Sequence, residues 1–128
     1  MSQLKKIAVV GNPNCGKTTI FNLLTGLNQK VGNFPGVTVN KKSGVLSTPN
    51  KEKFELIDLP GTYSLSSKSE DEKIVQDILL NPNHSSFPDL ILLVLDATNL
   101  KRNLFLATQI LDLGIPCLVL LNMEDELE

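Results

Sequence analysis

Short apolar runs and helix-spaced apolar residues alternate along the chain, and their order predicts its architecture. Lys5–Val10 contains the unbroken run Ile7-Ala8-Val9-Val10 and reads as a first strand. Lys17–Thr25 follows, with Ile20, Leu23, Leu24 and Leu27 at the i, i+3, i+4, i+7 spacing of an amphipathic helix, and Gly26 suits its C-terminal stop. Residues 28–38 show no periodicity and include Gly32, Pro35 and Gly36, which predicts a mobile loop. Val39–Ser47 and Lys53–Ile57 read as a strand pair joined through the turn-rich Thr48-Pro49-Asn50-Lys51.

Asp58–Ser69 is again loop-like. Glu70–Leu80 has helical spacing, with Ile74, Ile78 and either Val75 or Leu79 turned to the core. Asp89–Leu95 is a near-continuous run of Leu, Ile and Val, as expected of a parallel strand covered on both faces. Asn99–Leu113 predicts a helix with Leu100, Leu104, Ala107 and Leu111 on one face, ended by Gly114 and Pro116. Pro116–Leu121 reads as a last buried strand. Strands alternating with helices predict an α/β domain, an open and mostly parallel sheet with helices on both faces. Ligands of such sheets bind at the carboxyl ends of the strands.

Composition narrows the class without changing this picture. Hydrophobic residues make up 41% and charged residues 20% of the 128 positions, which fits one globular domain and excludes a disordered chain. A net charge of −2, with no basic stripe, gives no case for nucleic acid as a partner. The apolar runs Leu90–Leu95 and Ile115–Leu121 fall far short of the roughly 20 residues of a membrane span. The stretch after Met1–Lys6 stops at Gly11, too short for a signal peptide, so the expected location is the cytoplasm. Cys15 and Cys117 make neither a metal nor a disulfide framework, and His84 stands alone in a loop, with no zinc partners.

The chemistry is concentrated at strand ends. Gly11-Asn12-Pro13-Asn14-Cys15-Gly16-Lys17-Thr18 has the GxxxxGKT spacing of a phosphate-binding loop, with an apolar strand before it and a helix after it. Backbone N–H groups of such a loop turn inward around an anion, and the positive end of the helix strengthens the field. Lys17 can reach the β and γ phosphates, and the Thr18 hydroxyl can join Mg²⁺. Asp58-Leu59-Pro60-Gly61 supplies a carboxylate for Mg²⁺ and a glycine N–H for a γ-phosphate. Thr38, in Gly36-Val37-Thr38-Val39, is a second hydroxyl for Mg²⁺ on a loop able to order around a triphosphate. In Asn122-Met123-Glu124-Asp125 a carboxylate can accept from guanine N1 and its exocyclic amine, a donor pair that adenine lacks. Asn122 is expected to tie this segment back to the phosphate loop.

These four segments, in this order, identify a P-loop GTPase domain of the Ras-like and TrmE-Era type. Further segments narrow the resemblance: Thr19-Ile20-Phe21-Asn22, Val31–Val39, Asp58–Leu65, Asp96-Ala97-Thr98-Asn99-Leu100 and Asn122-Met123-x-Asp125. Over essentially the whole chain the sequence resembles the family of FeoB, the bacterial ferrous iron transport protein B. The resemblance implies a cytoplasmic N-terminal GTP-binding domain that regulates a large Fe²⁺ permease at the inner membrane. Its partners would be GTP or GDP, the permease and a helical regulatory domain. Met123 then stands where the family also has methionine. Asn14 matches the phosphate-loop asparagine with which similar GTPases coordinate K⁺.

The resemblance assigns nucleotide contacts to Gly11–Thr19, Gly36, Val37, Thr38, Asp58, Leu59, Pro60, Gly61, Asn122, Met123 and Asp125. Thr18, Thr38 and Asp58 would hold Mg²⁺ and Asn14 would hold K⁺, with Lys17, Thr38, Gly61 and Asn14 acting in hydrolysis. Residue 62 is Thr where Ras-like enzymes have a water-orienting Gln, which predicts slow turnover. Domains of this class add another strand and two helices after the guanine motif. Residues 1–128 are therefore expected to be an incomplete G domain, unable to transport iron alone, with apolar area open to self-association. Two other readings are a nucleotide-dependent switch without useful catalysis and a stand-alone GTPase of ribosome or tRNA maturation. The latter calls for a basic RNA-binding module that this chain lacks.

Overall fold

The computed structural model describes residues 4–66 and 69–122. Among the described residues six strands form one sheet: β1 (Lys5–Gly11), β2 (Gln29–Asn33), β3 (Asn40–Ser47), β4 (Lys53–Asp58), β5 (Leu90–Asp96) and β6 (Cys117–Asn122). Their order is β2-β3-β4-β1-β5-β6. β4, β1, β5 and β6 run parallel, while β2 and β3 join antiparallel at one end. The α-helices of the described residues are α1 (Lys17–Thr25), α2 (Glu70–Leu80) and α3 (Leu100–Leu111), the last preceded by a 3-10 turn at Ala97–Asn99. The sheet is thus mixed, with its parallel part at the centre.

Helices cover both faces, as the alternation predicts. Against one face α2 places Ile74, Val75, Ile78 and Leu79, and α3 adds Leu106, Ala107 and Ile110. These meet Ala8, Val10, Ile57, Ile91, Leu93 and Leu95 of the sheet. Against the other face α1 inserts Phe21 among Ile7, Val9, Leu56, Leu92 and Val94. β5 is buried on both sides, which explains its unbroken apolar run. Both Val75 and Leu79 are buried, so α2 presents all four candidate core positions.

Four expectations need correction. Residues 28–38 are not one loop, because Gln29–Asn33 pairs with Asn40–Gly44 as a hairpin strand. That strand is exposed on nearly every side chain and is held by its backbone, so no alternation marks it. The turn after it is anchored: Phe34 is buried, and its N–H donates to the Val39 carbonyl at 3.0 Å. The apolar stripe of α1 is not the buried one either. Phe21 and Thr25 face the sheet, Leu23 and Leu27 are exposed, and Ile20, Leu23 and Leu24 line an open apolar groove of about 340 Å³ with Leu118 and Leu120.

In α3 the buried face is Asn103, Leu106, Ala107 and Ile110, leaving Leu100, Leu104 and Leu111 exposed. Asn103 is hidden from a hydrophobic count because its amide is satisfied locally. It accepts from the Asp96 N–H at 3.1 Å and donates to the Asn99 carbonyl at 2.8 Å. Finally, β6 is a half-exposed edge rather than a buried strand, with Leu118, Val119 and Leu121 facing outward. Among the described residues no helix is long and apolar enough to cross a membrane.

Candidate functional site

The loop between β1 and α1 closes over the carboxyl end of the sheet. Gly16 is the N-cap of α1 at φ 92°, and no side chain caps the helix, nor does its first turn carry an acidic residue. The leading N–H groups of the helix are therefore not consumed by a side-chain cap and point toward the loop's concavity, with the positive end of the helix dipole behind them. Asn14 also has a left-handed backbone, φ 66°, a conformation that asparagine tolerates better than most residues. Asn12, Pro13, Asn14, Gly16, Lys17, Thr18, Thr19 and Gly61 line one open cleft of about 560 Å³.

A second cleft, of about 510 Å³, adjoins it through Lys17, Thr18 and Gly61 and adds Thr38, Asp58, Leu59 and Pro60. Two hydroxyls and a carboxylate, all hard oxygen donors, thus share one cleft, the donor set Mg²⁺ prefers. Lys17 is buried and its Nζ forms an ion pair with Asp58 Oδ1. Gly61 closes on the phosphate loop: a Cβ there would lie 2.9 Å from Pro13 Cα. The Thr62 N–H donates to the Gly11 carbonyl at 3.0 Å, which ties the segment after β4 to the end of β1.

Asn122, at the end of β6, donates from Nδ2 to the Cys15 carbonyl at 2.9 Å. It occupies the space a side chain at residue 16 would need, since a Cβ on Gly16 would collide with its amide. The predicted tie between these two segments is present. Met123 and Asp125 lie outside the described residues. Gly11 acts through its carbonyl, and Cys15 faces a small cavity behind the loop. Gly36 and Val37 do not line either cleft; Val37 packs against the larger core cluster.

Further contacts support the site from behind the motif residues. Thr62 is fully buried, and its hydroxyl lies 2.7 Å from the Ser64 carbonyl and 2.9 Å from Glu72 Oε2. Glu72 also accepts from the Tyr63 N–H at 3.1 Å and from the Ser69 hydroxyl at 2.8 Å, so α2's capping box holds the segment after β4. The Asn12 amide donates to the Arg102 carbonyl at 3.2 Å, while the Arg102 guanidinium stands 5.3 Å over the Tyr63 ring. Asp96 accepts from the N–H and hydroxyl of Thr98, which starts the turn into α3 and explains the Asp-Ala-Thr-Asn-Leu segment locally. Ser-x-x-Glu at residues 69–72 and the Asp-Ala-Thr-Asn-Leu segment at 96–100 are the sequence signals available for these contacts.

Burial pushes the Cys15 thiol above its ordinary pKa, although the nearby Lys17 backbone and charge pull the other way. Cys117 is raised by burial alone. Neither thiol is set up as a nucleophile.

Comparison with known proteins agrees with this geometry. A family model described as ferrous iron transport protein B matches residues 5–128. The Fe(2+) transporter FeoB of Leptospira biflexa is 55% identical over 124 residues, covering 97% of this chain and 17% of that protein. The Escherichia coli K12 Fe(2+) transporter FeoB is 51% identical over 119 residues, covering 93% of this chain and 15% of the relative. The chain thus spans about a sixth of the length of the curated relatives it matches.

Among solved structures, the G domain of the T. maritima FeoB iron transporter superposes with a TM-score of 0.84 at 44% identity, covering 93% of this chain and 72% of that one. An S. thermophilus NFeoB mutant bound to GDP gives 0.82 at 50% identity, over 94% and 45%. The fold is that of a P-loop G domain, and the chain belongs to the ferrous iron transport protein B family.

Proposed function

We propose that the chain is the GTP-binding and slowly GTP-hydrolysing regulatory domain of a bacterial ferrous iron transporter, acting at the cytoplasmic side of the inner membrane. The observation that carries this reading is the convergence of the uncapped α1 N-terminus, the Lys17 ammonium and the Asn122 clamp on one loop. GDP bound to the S. thermophilus relative supports it.

In this reading the N–H groups leading into α1 hold the β-phosphate and Lys17 bridges β and γ oxygens. Lys17 exchanges its Asp58 partner for the phosphates. Thr18, Thr38 and Asp58 would hold Mg²⁺, which would supply neutralising positive charge to the phosphates. The Gly61 N–H would donate to the terminal phosphate, and the guanine would be read by the sequence motif that includes Met123 and Asp125. Asn14 would hold K⁺, which would add further positive charge to the site. Thr62 cannot orient water, because its hydroxyl is already engaged by Ser64 and Glu72. The attacking water is left to backbone groups, and hydrolysis is slow.

Multiple-turnover phosphate release with Mg²⁺, in potassium and in sodium buffers, tests this. Slow release that is faster in potassium is expected. Equal rates in the two buffers would remove K⁺ from the account, and no release at all would favour a binding switch without catalysis, for which the committed Thr62 is the supporting observation. The permease and a helical regulatory domain are the expected partners.

A further inference from the structure

We infer that Lys42 is the stand-by counter-ion of Asp58 and so sets how strongly the nucleotide complex depends on Mg²⁺. This rests on the nucleotide reading above. Lys42 sits directly across the antiparallel β3–β4 ladder from Asp58. Opposed residues project from the same face, with Cβ atoms roughly 5 Å apart. Two positions along, Gly44 faces Leu56 and closes on Thr25 of α1, so the shared face is the α1 side that carries the phosphate loop. Lys42 and Asp58 both line the cleft that holds Lys17, Thr18 and Thr38.

Lys42 is half-buried, and among the described residues it has no carboxylate within ion-pairing distance, even though Glu70 and Asp71 also line the cleft. Asp58 is taken by Lys17. When Lys17 turns to phosphate, Asp58 is left as a buried carboxylate without a partner, which is costly unless another cation replaces it. A divalent ion is one replacement. Lys42 is the other, already on the same face and in the same cleft. The two therefore compete for one carboxylate.

The competition has a signature that ordinary packing lacks: its two effects have opposite sign. Removing the Lys42 charge weakens nucleotide binding without metal and tightens the metal once nucleotide is bound. The test uses the 128-residue chain as wild type, Lys42→Gln and Lys42→Arg, with a fluorescent GDP analogue titrated in EDTA and Mg²⁺ then titrated into the complex. Lys42→Gln should lose about threefold or more in metal-free affinity and gain about threefold or more in Mg²⁺ affinity, while Lys42→Arg stays close to wild type. If Lys42→Gln does not fold, judged by thermal melting, Lys42→Met removes the same charge and keeps the apolar stem. Unchanged affinities, or two shifts in the same direction, overturn the inference. Absence of GDP binding by the wild type would sink the nucleotide reading, and this inference with it.

Discussion

Asn122 reaches across 107 residues of sequence to donate a 2.9 Å hydrogen bond to the main-chain carbonyl of Cys15. The contact fixes the end of β6, where the segment proposed to read the base begins, against the loop proposed to hold the phosphates. Asn122→Ala should cost about 1 kcal/mol of stability, the worth of one part-buried hydrogen bond. It should weaken GDP binding more than that figure suggests, by about tenfold or more, because two half-sites lose their registration. GDP titration beside thermal melting checks this. A drop in melting temperature with unchanged affinity would make the contact purely structural.

Lys17 and Asp58 form the buried pair of the site. Lys17→Met removes the ion-pair partner of Asp58 and should destabilise the fold by about 1–3 kcal/mol, kept low because the cleft is open to water and Lys42 stands by in it. Lys17→Met with Asp58→Asn should recover most of that loss. Nucleotide binding should stay impaired by about a hundredfold in both variants, since phosphate charge goes unanswered. Denaturant unfolding and GTP titration of the single and double variants separate the two roles. Recovery of binding in the double variant would contradict the assignment of Lys17 to phosphate.

Supplying a Ras-like glutamine should not rescue turnover. Thr62 is fully buried with its hydroxyl against Ser64 and Glu72, so Thr62→Gln must displace that arrangement before it can face the phosphate cleft. The expected outcome is a loss of about 1–3 kcal/mol and less than a twofold change in hydrolysis. Phosphate release faster by tenfold would mean that the segment after β4 is freer than its contacts imply.

Both thiols have raised pKa values, through burial first in each case. Less thiolate is present at neutral pH than for a free cysteine, so alkylation should be slow at pH 7 and accelerate as pH rises. Cys117, half-buried at the sheet edge, should react before the buried Cys15. Mass spectrometry after timed alkylation at pH 7 and pH 9 reads the order. Faster labelling of Cys15 would show that the phosphate loop opens readily.

The strands that read clearly in the sequence are those buried in the parallel centre, where β1 and β5 need apolar residues on both faces. The helix spans were equally legible, but not their orientations. In α1 the spacing rule selected Ile20, Leu23, Leu24 and Leu27, whereas one large side chain, Phe21, decides what faces the sheet. In α3 a polar residue, Asn103, occupies a core position because its amide bonds backbone groups of the preceding turn, and hydrophobic periodicity cannot score that. β2 carries no pattern because its pairing uses the backbone alone. At the site, described residues of all four motif segments meet at the carboxyl end of the sheet, where ligands of such sheets bind. The supports behind them, Glu72, Arg102 and Lys42, come from elements whose meeting only the fold specifies.

Isothermal calorimetry of the folded chain with GTP, GDP and ATP in the presence of Mg²⁺ tests the central claim most directly. Saturable one-to-one uptake of both guanine nucleotides is predicted, with ATP weaker by about a hundredfold or more because its base lacks the donor pair. No uptake of GTP or GDP, or ATP binding as tight as either, would contradict it.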